Sequence, residues 1–198
     1  MTTTGEADGH GIPDAAPGED GALMVRVQAG DAAAFGALME RWERPVKSVI
    51  ARLVGNASEA EELAQETFVR VWQQREKFRA GAEFRPWVIA IAVNLARNRL
   101  RWWRRRPEVA LEEWNESGGD GERGRGGEGA MEAAERAAAV RDAIAALPVE
   151  LREAIVLFEY EEMSQAEIAA AVGATPKAVE TRIYRAREKL RAALKRLL

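Results

Sequence analysis

A glycine-rich segment beyond the middle of the chain divides it into two parts. Residues 117–129 read SGGDGERGRGGEG, with seven glycines in thirteen positions and no large apolar side chain. Such a segment buries too little apolar surface to offset the entropy lost on ordering it. We therefore predict a flexible acidic linker over residues 107–131, between a domain at 21–106 and a second domain at 132–198. Residues 1–20 carry five acids and no Lys or Arg, which predicts a disordered acidic tail.

Apolar residues in the first domain recur at helical rather than strand spacing. Asp31 stands where an N-cap is expected, just before the apolar run that begins AAAF. Pro45 is expected to interrupt or kink the helix that follows, since proline removes a backbone donor. Ser58 and Glu61 have the spacing of a capping box and predict the start of a third helix.

The second domain carries the pattern of a helix-turn-helix. Pro148 separates a helix over residues 132–146 from another over 149–161. Ser164 and Glu167 form a second capping-box pattern, and Gly173 stands where a left-handed helix cap is expected. Thr175 and the proline after it then begin a long last helix. The fold class predicted is all-α, with two small helical domains.

Composition excludes several classes of protein. The 198-residue chain has no cysteine and a single histidine, His10, in the predicted tail. Disulfide frameworks, thiolate zinc sites and histidine-based catalysis are therefore excluded. No apolar run approaches the ~20 residues that a membrane span requires. We expect a cytoplasmic protein that is not an enzyme, holds no metal or cofactor and does not insert into a membrane.

The formal charge of −3 conceals two strongly basic segments. Residues 94–106 contain six arginines and no acid, and residues 176–198 contain eight Lys or Arg against two Glu. Basic segments on two separate helices are typical of proteins that bind nucleic acid. The sequence therefore predicts DNA as a partner.

Three surfaces of the first domain can be drawn from helical wheels and composition. On residues 59–72, Glu59, Glu62 and Glu66 fall opposite the apolar face, which fits either a solvated face or a docking surface for a basic partner helix. The loop that follows mixes Phe, Trp, Arg and Lys, which fits either stacking on unpaired bases or closure of the core.

The next helix places Asn94, Arg97, Asn98, Arg101 and Arg105 on one stripe. Because no acid lies among these arginines, we expect them to need an anionic partner, while Arg99 points into the apolar sector and is expected to snorkel.

These motifs together resemble one protein family. Residues 30–35 (GDAAAF), 59–72 (EAEELAQETFVRVW) and 84–106 (FRPWVIAIAVNLARNRLRWWRRR) are similar to region 2 of the sigma-70 family. Residues 147–157 (LPVELREAIVL) and 164–190 (SQAEIAAAVGATPKAVETRIYRAREKL) are similar to region 4. The chain thus resembles a bacterial group 4, or extracytoplasmic function (ECF), sigma factor over residues 21–198.

The resemblance implies a function and a set of site residues. It implies a sigma factor that binds the beta-prime and beta subunits of core RNA polymerase, recognises the minus-thirty-five and minus-ten promoter elements and promotes DNA melting, with an anti-sigma factor as a further partner. Contacts to core polymerase are implied for Glu61, Glu62, Leu63, Gln65 and Glu66. Contacts to the minus-ten element are implied for Lys77, Phe78, Arg79, Phe84, Trp87, Asn94, Arg97, Asn98 and Arg101. Contacts to the minus-thirty-five element are implied for Lys177, Thr181, Arg182, Tyr184 and Arg185.

Two positions depart from the family pattern. Asn98 stands where many members carry Asp, and Glu180 stands where a basic residue is frequent. The promoter sequence therefore cannot be transferred from relatives.

Three other functions stay open at this stage. A stand-alone helix-turn-helix regulator would bind duplex tightly by itself, as a dimer with two half-sites. A helical interaction protein would occupy polymerase without starting transcription. An enzyme could use Glu61, Glu62 and Glu66 with a divalent metal, although neighbouring arginines and the lack of other ligands disfavour it.

Overall fold

The computed structural model describes residues 18–106 and 128–195, and within these ranges the chain forms eight α-helices and no strand. The first range contains α1 (Glu19–Gln28), α2 (Ala32–Val54), α3 (Ala57–Gln73) and α4 (Phe84–Arg105), with a 3-10 turn over Arg75–Lys77. The second contains α5 (Glu128–Ala145), α6 (Val149–Glu159), α7 (Gln165–Val172) and α8 (Pro176–Ala193). The all-α prediction is confirmed. Most of the predicted tail and linker, residues 1–17 and 107–127, lies outside the described residues.

Helix α2 begins at the predicted cap but does not end where expected. The Asp31 carboxylate accepts hydrogen bonds from the amides of Ala33 and Ala34 at 2.9 and 3.0 Å. The helix then continues through Pro45 to Val54, so the predicted interruption is wrong. Trp42 and Val46, on either side of the proline, are both buried in the core. Their burial compensates for the backbone hydrogen bond that proline removes.

Helix α3 is capped by a different residue from the one predicted. Asn56, not Ser58, accepts the hydrogen bond from the Glu59 amide, at 3.0 Å. Gly55 ends α2 with a φ of 75°, a left-handed conformation that glycine adopts without strain. The chain therefore turns within two residues, and Ser58 already lies in the first turn of α3.

The caps of the second domain are as predicted. Ser164 and Glu167 form a complete capping box at the start of α7, and Gly173 ends that helix with a φ of 67°. Thr175 accepts a hydrogen bond from the Ala178 amide at 3.2 Å and begins α8. Helices α7 and α8 form the helix-turn-helix.

Helix α1 belongs to the first domain, although its first two residues fall in the predicted tail. The Asp20 carboxylate accepts a hydrogen bond from the Trp42 indole at 2.9 Å and pairs with Arg41 at 2.5 Å. The hydrogen bonds that Arg41 donates to Glu19 and Asp20 raise its pKa, against the opposing effect of burial. These contacts fix α1 against α2, so the domain begins at about residue 19 rather than 21.

The two helical domains are in contact with each other. Helix α4 packs against α7, and α2 packs against α5 and α6. Helix α6 is buried over all of residues 151–157, which includes the charged side chains of Arg152 and Glu153. Arg152 donates a hydrogen bond at 2.5 Å to the carbonyl of Leu53 in the first domain. No helix of the described ranges is long and apolar enough to span a bilayer.

Candidate nucleic-acid interface

The polar stripe predicted on α4 is formed, but its central arginine is covered. Asn94, Asn98 and Arg101 are exposed. The Arg97 side chain is only 16% exposed, because it donates two hydrogen bonds of 2.7 Å to the carboxylate of Glu153 on α6. It also donates to the carbonyl of Val172, at the end of α7, at 3.3 Å. The Glu153 hydrogen bonds raise the pKa of Arg97 above its ordinary value, although burial opposes them.

The expectation that the arginines of the stripe lack counterions within the protein is wrong for Arg97, which pairs with Glu153. Arg99, which lies off the stripe and was expected to snorkel, pairs with Glu59 of α3. Glu59 was predicted on the exposed side of α3 but is 6% exposed, since it lies beneath Arg99. Both acids come from other helices, so no pattern within α4 could reveal them.

The aromatic residues that the sequence predicted in a loop lie mainly in the core, and Phe84 and Trp87 belong to the first turn of α4. Phe78 and Phe84 are 3% and 1% exposed, and Trp87 is half-buried. The Trp87 ring lies 5.3 Å from that of Phe78 and 6.1 Å from that of Phe84, between centroids. The residue pattern left base stacking and closure of the core both open for these rings, and the resemblance implied minus-ten contacts for all three. The structure uses the two phenylalanines to close the core. The loop cations Lys77 and Arg79 face solvent, as do the acids Glu76 and Glu83.

Gln28 fixes this loop and was missed by the sequence analysis. Its amide nitrogen donates hydrogen bonds to the carbonyls of Arg75 and Phe78, at 2.9 and 2.8 Å. The loop is thereby held against α1, forty-seven and fifty residues away in sequence. A glutamine at the end of a helix gives no local signal of such a role.

The acidic surface of α3 is exposed. Glu61, Glu62 and Gln65 are exposed, and Glu66 is half-exposed. Glu61 pairs with Lys47 of α2, and Glu66 accepts a hydrogen bond from Arg70 at 2.8 Å. Leu63 is 2% exposed, so its side chain supports this surface from the core rather than forming part of it.

Helix α8 presents its basic side to solvent. Its predicted contact residues Lys177, Thr181, Tyr184 and Arg185 are exposed, and Arg182 is half-exposed. The Lys177 ammonium pairs with Glu180 at 2.8 Å. The opposite side of α8 buries Val179 and Ile183. The second helix of the motif thus offers a polar face suited to a DNA major groove.

Comparisons with known proteins match both domains. Residues 38–106 match the family Sigma-70 region 2, and residues 137–190 match Sigma-70, region 4. The chain is 36% identical over 185 residues to the RNA polymerase sigma-H factor of Pseudomonas aeruginosa, covering 91% of this chain and 96% of that protein. It is 37% identical over 174 residues to the ECF RNA polymerase sigma-E factor of Escherichia coli K12, covering 85% and 91%. This chain belongs to the ECF group of the sigma-70 family.

Solved structures of sigma-70 family members show a similar fold. CnrH in complex with the cytosolic domain of CnrY matches this ECF chain with a TM-score of 0.65 and 31% identity, covering 89% of this chain and 97% of that one. The sigma factor RpoE of Bartonella quintana, solved with the anti-sigma factor NepR, matches with a TM-score of 0.60 and 20% identity, covering 81% and 96%. The latter likeness supports the fold of this ECF member alone.

Proposed function

We propose that this chain is a sigma factor that binds core RNA polymerase, recognises a bipartite promoter and promotes DNA melting. The observation that carries the proposal is that two domains, matched to regions 2 and 4, each expose cationic side chains on a single helix, with two asparagines beside them on α4. Helix α8 would contact paired DNA at the minus-thirty-five element through Lys177, Arg182 and Arg185. Helix α4 would contact unpaired minus-ten bases.

The minus-ten surface would consist of the α4 stripe and the exposed part of the preceding loop. Asparagine side chains can hydrogen-bond base edges, and arginine side chains can bind phosphates. Asn94, Asn98 and Arg101 supply these groups on α4, and Lys77 and Arg79 supply cations in the loop. Phe78 and Phe84 would shape this surface from within, and the half-buried ring of Trp87 would be available to stack on a base.

Melting would follow from preferential binding to one state of the DNA. Bases of the non-template strand reach the α4 surface only after they leave the duplex. A protein surface that binds only the open state of the DNA shifts the equilibrium toward opening. The shift in free energy equals the difference between its binding free energies for the open and closed states. The chain would act without catalysis, metal or cofactor, and in the cytoplasm with polymerase.

The acidic surface of α3 would dock on the beta-prime subunit of core polymerase. Glu61, Glu62, Gln65 and Glu66 present the charge there, with Leu63 packed beneath them. An anti-sigma factor is a further proposed partner, because CnrH, which is 31% identical to this chain, was solved in complex with the cytosolic domain of the anti-sigma factor CnrY.

Run-off transcription with core polymerase and a library of promoter templates tests the proposal. We expect promoter-specific transcripts only when both the chain and core enzyme are present. A stand-alone regulator would instead bind duplex tightly without core, and a polymerase-occupying protein would bind core without opening DNA. The absence of a specific transcript from every template would contradict an initiation function.

Charge reversal separates the docking surface from the fold. Glu62→Lys with Glu66→Lys should abolish core binding in a pull-down and eliminate transcripts, because the surface would repel a basic partner. The matched control is Glu40→Lys with Glu43→Lys, which changes the net charge equally at exposed positions of α2. Retained core binding by the α3 variant would contradict this assignment.

A further inference from the structure

The contact between the domains pairs arginines of the first with carboxylates of the second. Glu153 binds Arg97 through both carboxylate oxygens at 2.7 Å. The two oxygens of Glu161 lie 3.9 Å from Arg52 and 3.9 Å from Arg85. Both acids are buried, with 1% and 7% of their surface exposed. Two carboxylates of the second domain therefore hold three arginines of the first.

One of these arginines also belongs to the proposed DNA surface. Arg97 lies on α4 between Asn94 and Asn98, one turn before Arg101, and its neighbours on the stripe face solvent. A guanidinium with two parallel hydrogen bonds to a carboxylate is in the geometry in which it binds a phosphate. Glu153 therefore occupies the site on Arg97 that a DNA strand would use.

The dimensions of the closed molecule also conflict with bipartite binding. A compact chain of this length has a radius of gyration of about 16 Å, hence a diameter of about 40 Å. Promoter elements centred 25 positions apart lie about 85 Å apart along duplex DNA. Residues 107–127 can extend to at most about 75 Å, since each residue adds about 3.6 Å. The domains can thus reach both elements only after they separate.

We propose that Glu153 and Glu161 hold the free chain in a closed, autoinhibited state, in which Glu153 takes the place of a DNA phosphate on Arg97. Separation of the domains frees Arg97 for the non-template strand. This inference rests on the proposed function for its DNA partner, but closure itself can be measured without DNA.

The chemistry of the interface suits a reversible contact. Glu153 lies in an apolar stretch of α6, where a buried carboxylate is costly unless it is paired. Arg97 meets that requirement and also contacts the carbonyl end of α7, where the helix dipole favours a cation. When the domains separate, water hydrates both ions again, and this hydration offsets much of the interaction free energy that the ion pair loses. The ion pair therefore determines which surfaces meet while keeping separation accessible.

A distance measurement in the full-length chain tests closure. The sequence contains no cysteine, so Ala37→Cys and Ala192→Cys introduce one labelling site in each domain, both at exposed positions. Energy transfer between dyes at these sites reports the separation of the domains. We expect a single short distance for the otherwise unchanged chain. A long or broad distance in that chain would overturn the proposal.

Neutralised carboxylates should open the chain and expose the stripe. In the labelled chain, Glu153→Gln and Glu161→Gln, alone and combined, should shift the distance to longer values. Affinity for a fluorescein-labelled single-stranded DNA of mixed sequence should rise about tenfold for the double variant, as the competent fraction grows. The matched control, Glu159→Gln, removes a carboxylate that pairs with Arg187 of its own domain, at 2.7 Å, and should change neither quantity. An unchanged distance in the double variant would overturn the proposal.

Exchange of the two charges gives a second, independent test. Arg97→Glu alone should open the chain, and adding Glu153→Arg should restore the short distance. Circular dichroism of each variant verifies that the helices are retained. Failure of the exchange to restore closure, with helices intact, would contradict the pairing. If the carboxylate variants lengthen the interdomain distance but no promoter is transcribed, the proposed function is wrong and the closed state is supported. If promoters are transcribed but no variant changes the interdomain distance, only the proposed closed state is wrong.

Discussion

The Glu167 carboxylate at the start of α7 is a single residue whose contribution depends on pH. Its pKa is lowered, first by the hydrogen bond from the Ser164 hydroxyl and also by the Ser164 amide. A carboxyl whose folded pKa lies below its unfolded value stabilises the fold above the unfolded pKa and loses this effect as pH falls. Its stabilising effect should therefore be complete at neutral pH and decline below the ordinary value of 4.5.

Glu167→Gln isolates the charge, because glutamine keeps an oxygen for the capping box. The variant should be about 0.3–1 kcal/mol less stable than the natural chain at pH 7, the usual effect of an anion in a first helical turn that water screens. Near pH 3 the difference in stability between the two chains should be smaller than at pH 7, because the carboxyl becomes protonated as the pH falls below 4.5. Thermal unfolding at both pH values measures this, with Glu135→Gln, at an exposed position of α5, as the control. An equal difference at both pH values would contradict the electrostatic account.

Gln28 is a residue whose effect should extend to function. Gln28→Leu removes the two hydrogen bonds that hold the carbonyls of Arg75 and Phe78. We expect a loss of about 1–2 kcal/mol in the free energy of unfolding, since each hydrogen bond contributes about 0.5–1.5 kcal/mol. Amide hydrogen exchange over residues 75–84 should accelerate.

The Gln28 variant also distinguishes the contributions of the two proposed DNA surfaces to DNA binding. Single-stranded DNA binding should weaken, because the loop residues Lys77 and Arg79 are no longer held in place, while duplex binding by α8 should be unchanged. Gln73→Leu, at an exposed position outside this contact, should affect neither. Equal losses in both kinds of DNA binding would mean that Gln28 acts on the whole fold rather than on the loop.

At the scale of elements, substitution by alanine should change stability in opposite directions at two glycines. Gly173 ends α7 with a φ of 67°, and Gly36 lies inside α2; a Cβ at either position would meet no atom within 4 Å. Gly173→Ala should therefore lower stability by about 1–2 kcal/mol through backbone strain alone. Gly36→Ala should raise it by about 0.5–1 kcal/mol, because alanine favours the helix. Urea unfolding measures both, and a stabilised Gly173→Ala variant would contradict the strain argument.

The helix boundaries show which features of an element a sequence can determine. The caps at Asp31, Ser164 and Thr175 were predicted correctly, because each depends on a hydrogen bond to an amide within three residues. The cap of α3 was assigned to Ser58 rather than Asn56, since two capping side chains stand two residues apart and both fit the local pattern. The passage of α2 through Pro45 depends on core packing, which no local rule contains.

At the scale of the whole molecule, the sequence predicted the two domains and their exposed surfaces but not their contact. Arg97 and Glu153 are 56 residues apart in sequence, so no periodicity connects them. A sequence signal was present in α6, where Arg152 and Glu153 directly precede the continuous apolar run AIVLF over residues 154–158, because a helix that is apolar on all sides is usually buried. The candidate α4 stripe was therefore predicted as a fully exposed surface, whereas the structure covers its central arginine.

Salt should affect the two proposed contacts of the molecule very differently. Exposed phosphate contacts release counterions, so three of them on α8 would give a slope of about −2.7 in log affinity against log salt, or a loss of about eightyfold between 0.1 and 0.5 M. The Arg97–Glu153 pair is buried, and buried pairs are screened much less. The interdomain distance in the free chain should therefore stay short over a range of salt in which duplex binding is nearly lost. Energy transfer and DNA binding can both be measured on the same labelled chain. If the domains separate over the same range of salt in which DNA binding is lost, the Arg97–Glu153 pair responds to salt as a solvent-exposed ion pair does, which would contradict this prediction.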